Sequence, residues 1–112
     1  MASSDLHDSW ARTEGFLREA RSHLSEVAEA DHAATIAEFD DYIEHNELGL
    51  ALDALRSIVK GSDFESPRVL ESLALAAASM GMLEEQRELD NELTQLRGWK
   101  YETKLPGGSD AT

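Results

Sequence analysis

The sequence predicts an all-α fold: a single compact bundle of about five helices with a flexible C-terminal tail. Three observations carry that expectation. Apolar residues recur at three- and four-residue steps along most of the chain, only 2 prolines and 7 glycines interrupt it, and no alternating run of β-branched residues reaches strand length. At 112 residues the chain has room for one domain, read as residues 1–105 with 106–112 as the tail. Such a chain hides roughly 65% of its unfolded surface, enough for one core. Hydrophobic residues make up 41% but only seven are aromatic, so that core must be aliphatic and rich in alanine.

The first helix is expected from about Asp8 to Glu26, capped by Ser9 or Ser4, with Leu6, Trp10, Leu17, Ala20, Leu24 and Val27 on one face. The second runs from about His32 to His45. Asp31 stands at its N-cap, Ile36, Phe39 and Ile43 face inward, and Glu38, Asp41 and His45 lie opposite. In the third, Asn46 reads as the cap, Glu47 opens the helix, and Leu48, Ala51, Leu52, Leu55, Ile58 and Val59 form one stripe. Lys60 followed by Gly61 is a stop signal, since a cation suits the negative helix end and glycine relieves the exposed carbonyls. Leu50 points away from the stripe, beside Asp53 and Ser57, and is either covered by the next helix or exposed among acids.

Ser66-Pro67 starts the fourth helix, because proline at the first helical position lacks only a hydrogen that would be unpaired anyway. Its apolar positions, running to Met80 before Gly81, cover more than half the circumference and mark it as the central helix. The fifth, from about Leu83 to Arg97, keeps Met82, Leu89, Leu93 and Leu96 inward and shows Glu84, Arg87, Glu88, Asn91 and Gln95 outward. Beyond Gly98 periodicity is lost. Trp99 to Leu105 is at most extended, and Trp99 and Tyr101 either pack this stretch back onto the bundle or offer aromatic area to a partner.

Several function classes lack their residues. The absence of cysteine removes disulfides, thiolate metal sites and a cysteine nucleophile, and fits a reducing compartment. There is no Gly-x-Ser-x-Gly elbow and no phosphate-binding glycine spacing. Glu29-Ala-Asp-His32 is a single Glu-x-x-His pair, whereas a di-metal bundle needs two plus further inward carboxylates. Asp41 and His45, one helical turn apart, have a spacing that is common on solvent faces, and His7, His23, His32 and His45 are well separated. No enzyme activity, cofactor or metal is therefore expected. The N-terminus shows no basic region followed by an apolar run, and no stretch reaches the length of a membrane span, so a cytoplasmic protein without membrane contact is expected.

Charge is the strongest bulk signal. With 23 acidic and 10 basic residues the net charge is -13, which repels nucleic acid and draws in basic surfaces. Between Arg21 and Arg56 there is no Lys or Arg, while Glu26, Glu29, Asp31, Glu38, Asp40, Asp41, Glu44, Glu47 and Asp53 all occur. Like charges a turn apart, such as Asp40 and Glu44, cost a helix a few tenths of a kcal/mol. Unrelieved repulsion of this kind points to a positive partner covering the surface. Glu84, Glu85, Glu88, Asp90 and Glu92, around Arg87, form a smaller block that extends it. The candidate partner-binding residues are accordingly Glu38, Asp40, Asp41, Glu44, His45, Glu47, Leu50, Asp53, Glu84 and Glu88.

The run from Phe39 to Leu55, and above all His45-Asn-Glu-Leu-Gly-Leu-Ala-Leu-Asp-Ala-Leu55, resembles the MafI-type family of bacterial toxin-immunity proteins. With the helix ending Ser79-Met-Gly-Met82 and the last leucine-bearing helix, the likeness covers about sixty of the 112 residues. The resemblance implies a small helical cytoplasmic antidote that binds and neutralises a secreted polymorphic toxin, often a nuclease. On that reading the partner is a basic toxin domain, the chain itself is a monomer or weak homodimer, and Asn46, Glu47 and Gly49 are scaffold residues: cap, first-turn acid and close helix contact. The competing expectation is a homo-oligomeric helical scaffold or adaptor, suggested by Leu50 and by the narrow apolar stripe of the fifth helix.

Overall fold

The computed structural model describes residues 2–61 and 67–105, with side chains from Ser9 onward. The side chain of Leu6, the Ser4 cap, Ser66 and the tail 106–112 lie outside the described residues. Within them the chain is all helical, with six helices: α1 (Ala2–Ser22), α2 (Glu26–Asp31), α3 (Ala33–Glu44), α4 (Leu48–Lys60), α5 (Pro67–Ser79) and α6 (Leu83–Arg97).

The additional helix arises at the end of α1. The first helix starts well before Ser9, which sits inside it, and stops at Ser22 instead of reaching Glu26. His23 and Leu24 close it with bonds to the carbonyls three residues back, at 3.1 and 3.2 Å. Ser25, in an extended conformation, then accepts the Ala28 N–H at 3.0 Å and nucleates α2. This break rotates the face, so Ala28 is buried where Val27 was expected inward, and Val27 is 70% exposed. Asp31 is correspondingly the last residue of α2 and caps nothing. His32 takes both terminal positions: its N–H donates to Ala28 O and its carbonyl accepts from Ile36 N–H, without a side-chain cap.

Asn46 also acts differently from its expected role as an N-cap. Its φ of 61° is left-handed. The Asn46 N–H donates to Ile43 O at 3.1 Å and the Glu47 N–H to Tyr42 O at 2.7 Å, the double bond of a Schellman motif that finishes α3. Asparagine tolerates this backbone because its short polar side chain bonds locally. Glu47 then precedes α4 at the N-cap position, with no side-chain cap bond. The same device ends α5: Gly81, at φ 75°, donates to Ala78 O while Met82 donates to Ala77 O. Gly61 ends α4 as expected, but in a right-handed conformation; a Cβ there would stand 3.2 Å from His32 Cε1, so the imidazole would have to give by a few tenths of an ångström.

α5 is the central element, packed against α1, α6 and, less extensively, α4, while α3 packs on α4 and α2 on α3. Alanines allow this. Ala74, Ala76 and Ala77 of α5, Ala20 of α1 and Ala51 of α4 are fully buried, letting helix backbones approach, while Phe39, Leu17, Leu52, Leu55, Leu73, Leu89 and Leu93 fill the remaining volume. Where α1 crosses α5, buried Thr13 satisfies its hydroxyl through Ser9 O at 3.0 Å and Ser79 Oγ at 2.6 Å. The molecule measures 43 × 36 × 20 Å, a slab about two helix diameters thick.

Residues 99–105 form an extended strap that runs back along α6. The Tyr101 N–H donates to Thr94 Oγ1 at 2.9 Å, and the buried Asp90 carboxylate accepts both the Thr103 N–H at 3.1 Å and the Thr103 hydroxyl. The strap shifts the buried arc of α6 toward Asp90. Leu96, expected inward, is therefore 60% exposed, and Trp10 of α1 is also partly open to solvent.

Replacing the fully buried Leu73 with Ala is expected to lower the unfolding free energy by about 2–5 kcal/mol, whereas Leu50→Ala changes it by less than about 0.5 kcal/mol. Asn46→Gly should be near neutral and Asn46→Ala should cost about 1 kcal/mol, because only the latter meets the left-handed steric penalty. Urea denaturation measures all four variants on one scale.

Candidate functional site

The acids of α3 are placed by the helix period. Ile36, Phe39 and Ile43 turn one side into the core, which forces Glu38, Asp40, Asp41 and Glu44 outward, and all four are exposed. They form two rows. Glu38, Asp41 and His45 succeed one another at three- and four-residue steps along the outer side. Asp40 and Glu44 occupy a flank that faces α1 across an open groove of about 450 Å³, floored by Ile43 and bordered by Glu14 and Arg18. Arg18 contributes little positive field there, because its Nε already pairs with Glu14 at 2.7 Å.

Among the described residues no cation lies within ion-pair distance of Glu38, Asp40, Asp41, Glu44, Glu47, Asp53 or Glu84. The nine-acid gap is slightly smaller in space than in sequence, since Glu29 pairs with Arg21 at 2.5 Å.

His45 stands at the end of this face. Its Nδ1–H donates to Asp41 O at 2.9 Å, a carbonyl near the C-terminus of α3 that also accepts the His45 backbone N–H at 3.0 Å. The ring's hydrogen bond is the largest influence and, helped by the nearby carboxylates of Glu44, Asp41 and Glu47, raises its pKa above the ordinary 6.5 against the opposing effect of desolvation. Glu47 continues the acidic corner into α4, where Leu50 and Asp53 lie on the exposed arc. Leu50 is 47% exposed, so no neighbouring helix covers it. Gly49, expected at a close helix contact, has no atom within 4 Å of where a Cβ would stand.

The acids of α6 behave otherwise. Glu84 is exposed and has no ion-pair partner among the described residues, but part of the block around Arg87 is engaged from elsewhere: the buried guanidinium of Arg56 on α4 reaches Glu88 at 3.0 Å and Glu92 at 3.3 Å, while Asp90 binds Thr103. α6 packs on α5 and has no extensive contact with α3, so Glu84 and Glu88 do not extend the α3 face directly. Arg56 was invisible to sequence reasoning as the partner of these acids, because its ligands lie more than thirty residues downstream.

Trp99 and Tyr101 differ in burial. Tyr101 packs against the core, whereas Trp99 is 61% exposed, with the Arg97 guanidinium 5.9 Å from its ring centroid and 5.4 Å from that of Tyr101. Arg97 also pairs with Glu71 of α5.

Among the described residues no group of three or more His, Asp or Glu side chains could hold a metal ion. Glu29 is engaged by Arg21, and the His32 ring lies against Gly61. No described helix is long and apolar enough to cross a membrane. Comparison of the chain with protein-family models, curated proteins and solved structures finds no match.

Because the folded-state pKa of His45 is raised, its contribution to stability is fully present below pH 6.5 and is lost as pH rises through the higher folded value. The stability difference between the native chain and a His45→Gln variant is expected to shrink over that window, with the His45 ring resonance titrating above 6.5 by NMR. A difference that stays constant from acid to alkaline pH would contradict the assignment.

Proposed function

We propose that this chain is a non-enzymatic immunity protein that binds and neutralises a secreted polymorphic toxin, with a basic, nuclease-type domain as the partner. The observation that carries the reading is the unpaired acidic face of α3. Glu38, Asp40, Asp41 and Glu44 sit on one short helix with no cation within ion-pair distance among the described residues, although mixed charges on the same surface would stabilise the helix. A net charge of -13 adds a long-range field that speeds encounter with a cationic domain and repels nucleic acid. The resemblance of residues 39–55 to MafI-type immunity proteins supports the same conclusion. On this reading the carboxylates of α3, with Glu47 and Asp53, occupy positions that phosphates take in a nucleic-acid cleft. His45 sits among them, and Leu50 supplies an apolar anchor inside a polar rim. The antidote would act in the cytoplasm as a monomer or weak homodimer.

A homo-oligomeric scaffold is favoured by one observation, the exposure of Leu50, Leu96 and Trp99. Mutual repulsion between two chains of net charge -13 works against it.

The partner should be encoded beside this chain as a large secreted toxin, and the two proteins should co-purify. The triple charge reversal Glu38→Lys, Asp41→Lys and Glu44→Lys is expected to weaken that complex by at least about a hundredfold while leaving the circular dichroism unchanged. Affinity should also fall steeply with added salt. Unaltered affinity in the folded triple variant would remove the electrostatic basis of the proposal.

A further inference from the structure

We propose that Gln86, Asp90 and Thr94 form a rail on α6 that binds an extended peptide through its main chain, and that the strap 99–105 is the resident, exchangeable occupant of that rail. The three side chains stand at successive four-residue steps, about 6 Å apart along the helix axis. Alternate residues of an extended chain repeat at about 6.6 Å. The two spacings match closely enough for one helix row to read every second residue of a strand. Two contacts follow that register, Thr94 Oγ1 accepting the Tyr101 N–H at 2.9 Å and Asp90 Oδ2 accepting the Thr103 N–H at 3.1 Å, while Gln86 Nε2 donates to the carbonyl of that same residue, Thr103 O, at 3.4 Å.

These bonds recognise main-chain groups, as strand-addition sites do, so they tolerate varied sequence. Selectivity comes from two side chains. The Thr103 hydroxyl donates to the second oxygen of Asp90, and Tyr101 inserts against the core beside Arg97. The ligand class is therefore an extended peptide with a hydroxyl residue two positions after an aromatic one. Asp90 is buried, and no cation pairs with it among the described residues, so its carboxylate needs two donors from whichever segment lies on the rail. Beside the strap an open groove of about 260 Å³, reaching Leu83 on α6, gives an incoming peptide a foothold before the strap has left. This site is separate from the acidic face of α3 and its test does not depend on that face.

The test uses the full chain and a fluorescent peptide of the strap sequence, Trp-Lys-Tyr-Glu-Thr-Lys-Leu. A tethered strap acts at an effective concentration of order mM, so it suppresses a peptide of about 0.1 mM affinity roughly tenfold. Thr103→Val loosens the strap and should raise peptide affinity about tenfold over the native chain. Adding Asp90→Asn to that variant, or changing the peptide threonine to valine, should abolish the gain. A folded Thr103→Val chain that binds no better than the native one, or equal binding of the valine peptide, would overturn the proposal. Amide exchange on the native chain gives a second reading that needs no variant. Tyr101 and Thr103 should exchange through an opening that leaves the Leu73 amide protected; exchange only with unfolding of the whole chain would show that the strap is fixed.

Discussion

Close approach of helix backbones at alanine is the constraint on which the rest of the molecule depends. With few aromatic residues, the core cannot be filled by large rings bridging distant helices. It is filled instead by Ala74, Ala76 and Ala77 on α5 meeting α1 and α6, with leucines closing the gaps. Burial of α5 on several sides leaves α3 attached mainly through α4. Its outer side is consequently solvated along its length, and the charge placed there is set by something other than packing. The hydroxyl pair of Thr13 and Ser79 fits the same logic, because helices that come this close have room for small polar groups only when each satisfies the other.

The electrostatics divide into two regimes. On α6 three acids are incorporated into the fold: Arg56 bridges Glu88 and Glu92, and Asp90 is bound by the strap. On α3 the carboxylates make no such bonds. Exposed ion pairs contribute at most about 1 kcal/mol each, so the absence of cations from α3 costs the fold little and leaves the composition of that surface open to selection by binding. Loss of Arg56 would cost more, because its buried guanidinium links two helices that otherwise touch sparingly.

Periodicity made the helix class and the centrality of α5 readable from the chain, and the strictness of the Ile36, Phe39, Ile43 pattern placed the α3 acids outward. Ser25 and Asn46 were less readable, for a common reason. Each is a small polar residue whose side chain suits either a helix interior or a cap, and local context alone does not say which. The backbone decides: Ser25 is extended and begins a helix, while Asn46 is left-handed and ends one. Leu96 was misplaced because the inward side of α6 is defined partly by a strap that carries no periodic signal. Of the candidate site, the α3 acids could be found from residue spacing, whereas the exposure of Leu50, left open by its place on the helix, and the pairing of Glu88 with Arg56 required knowledge of which helices meet.

The slab-like shape has a consequence for how the molecule can change over time. In a body only about two helices deep, every helix has one wetted side, and no residue is shielded by a second shell of structure. Opposite broad sides share one buried core of alanines and leucines, so substitutions confined to exposed positions of one side leave the other largely untouched. Such a scaffold can alter what it recognises on one surface at little cost to the architecture that presents it.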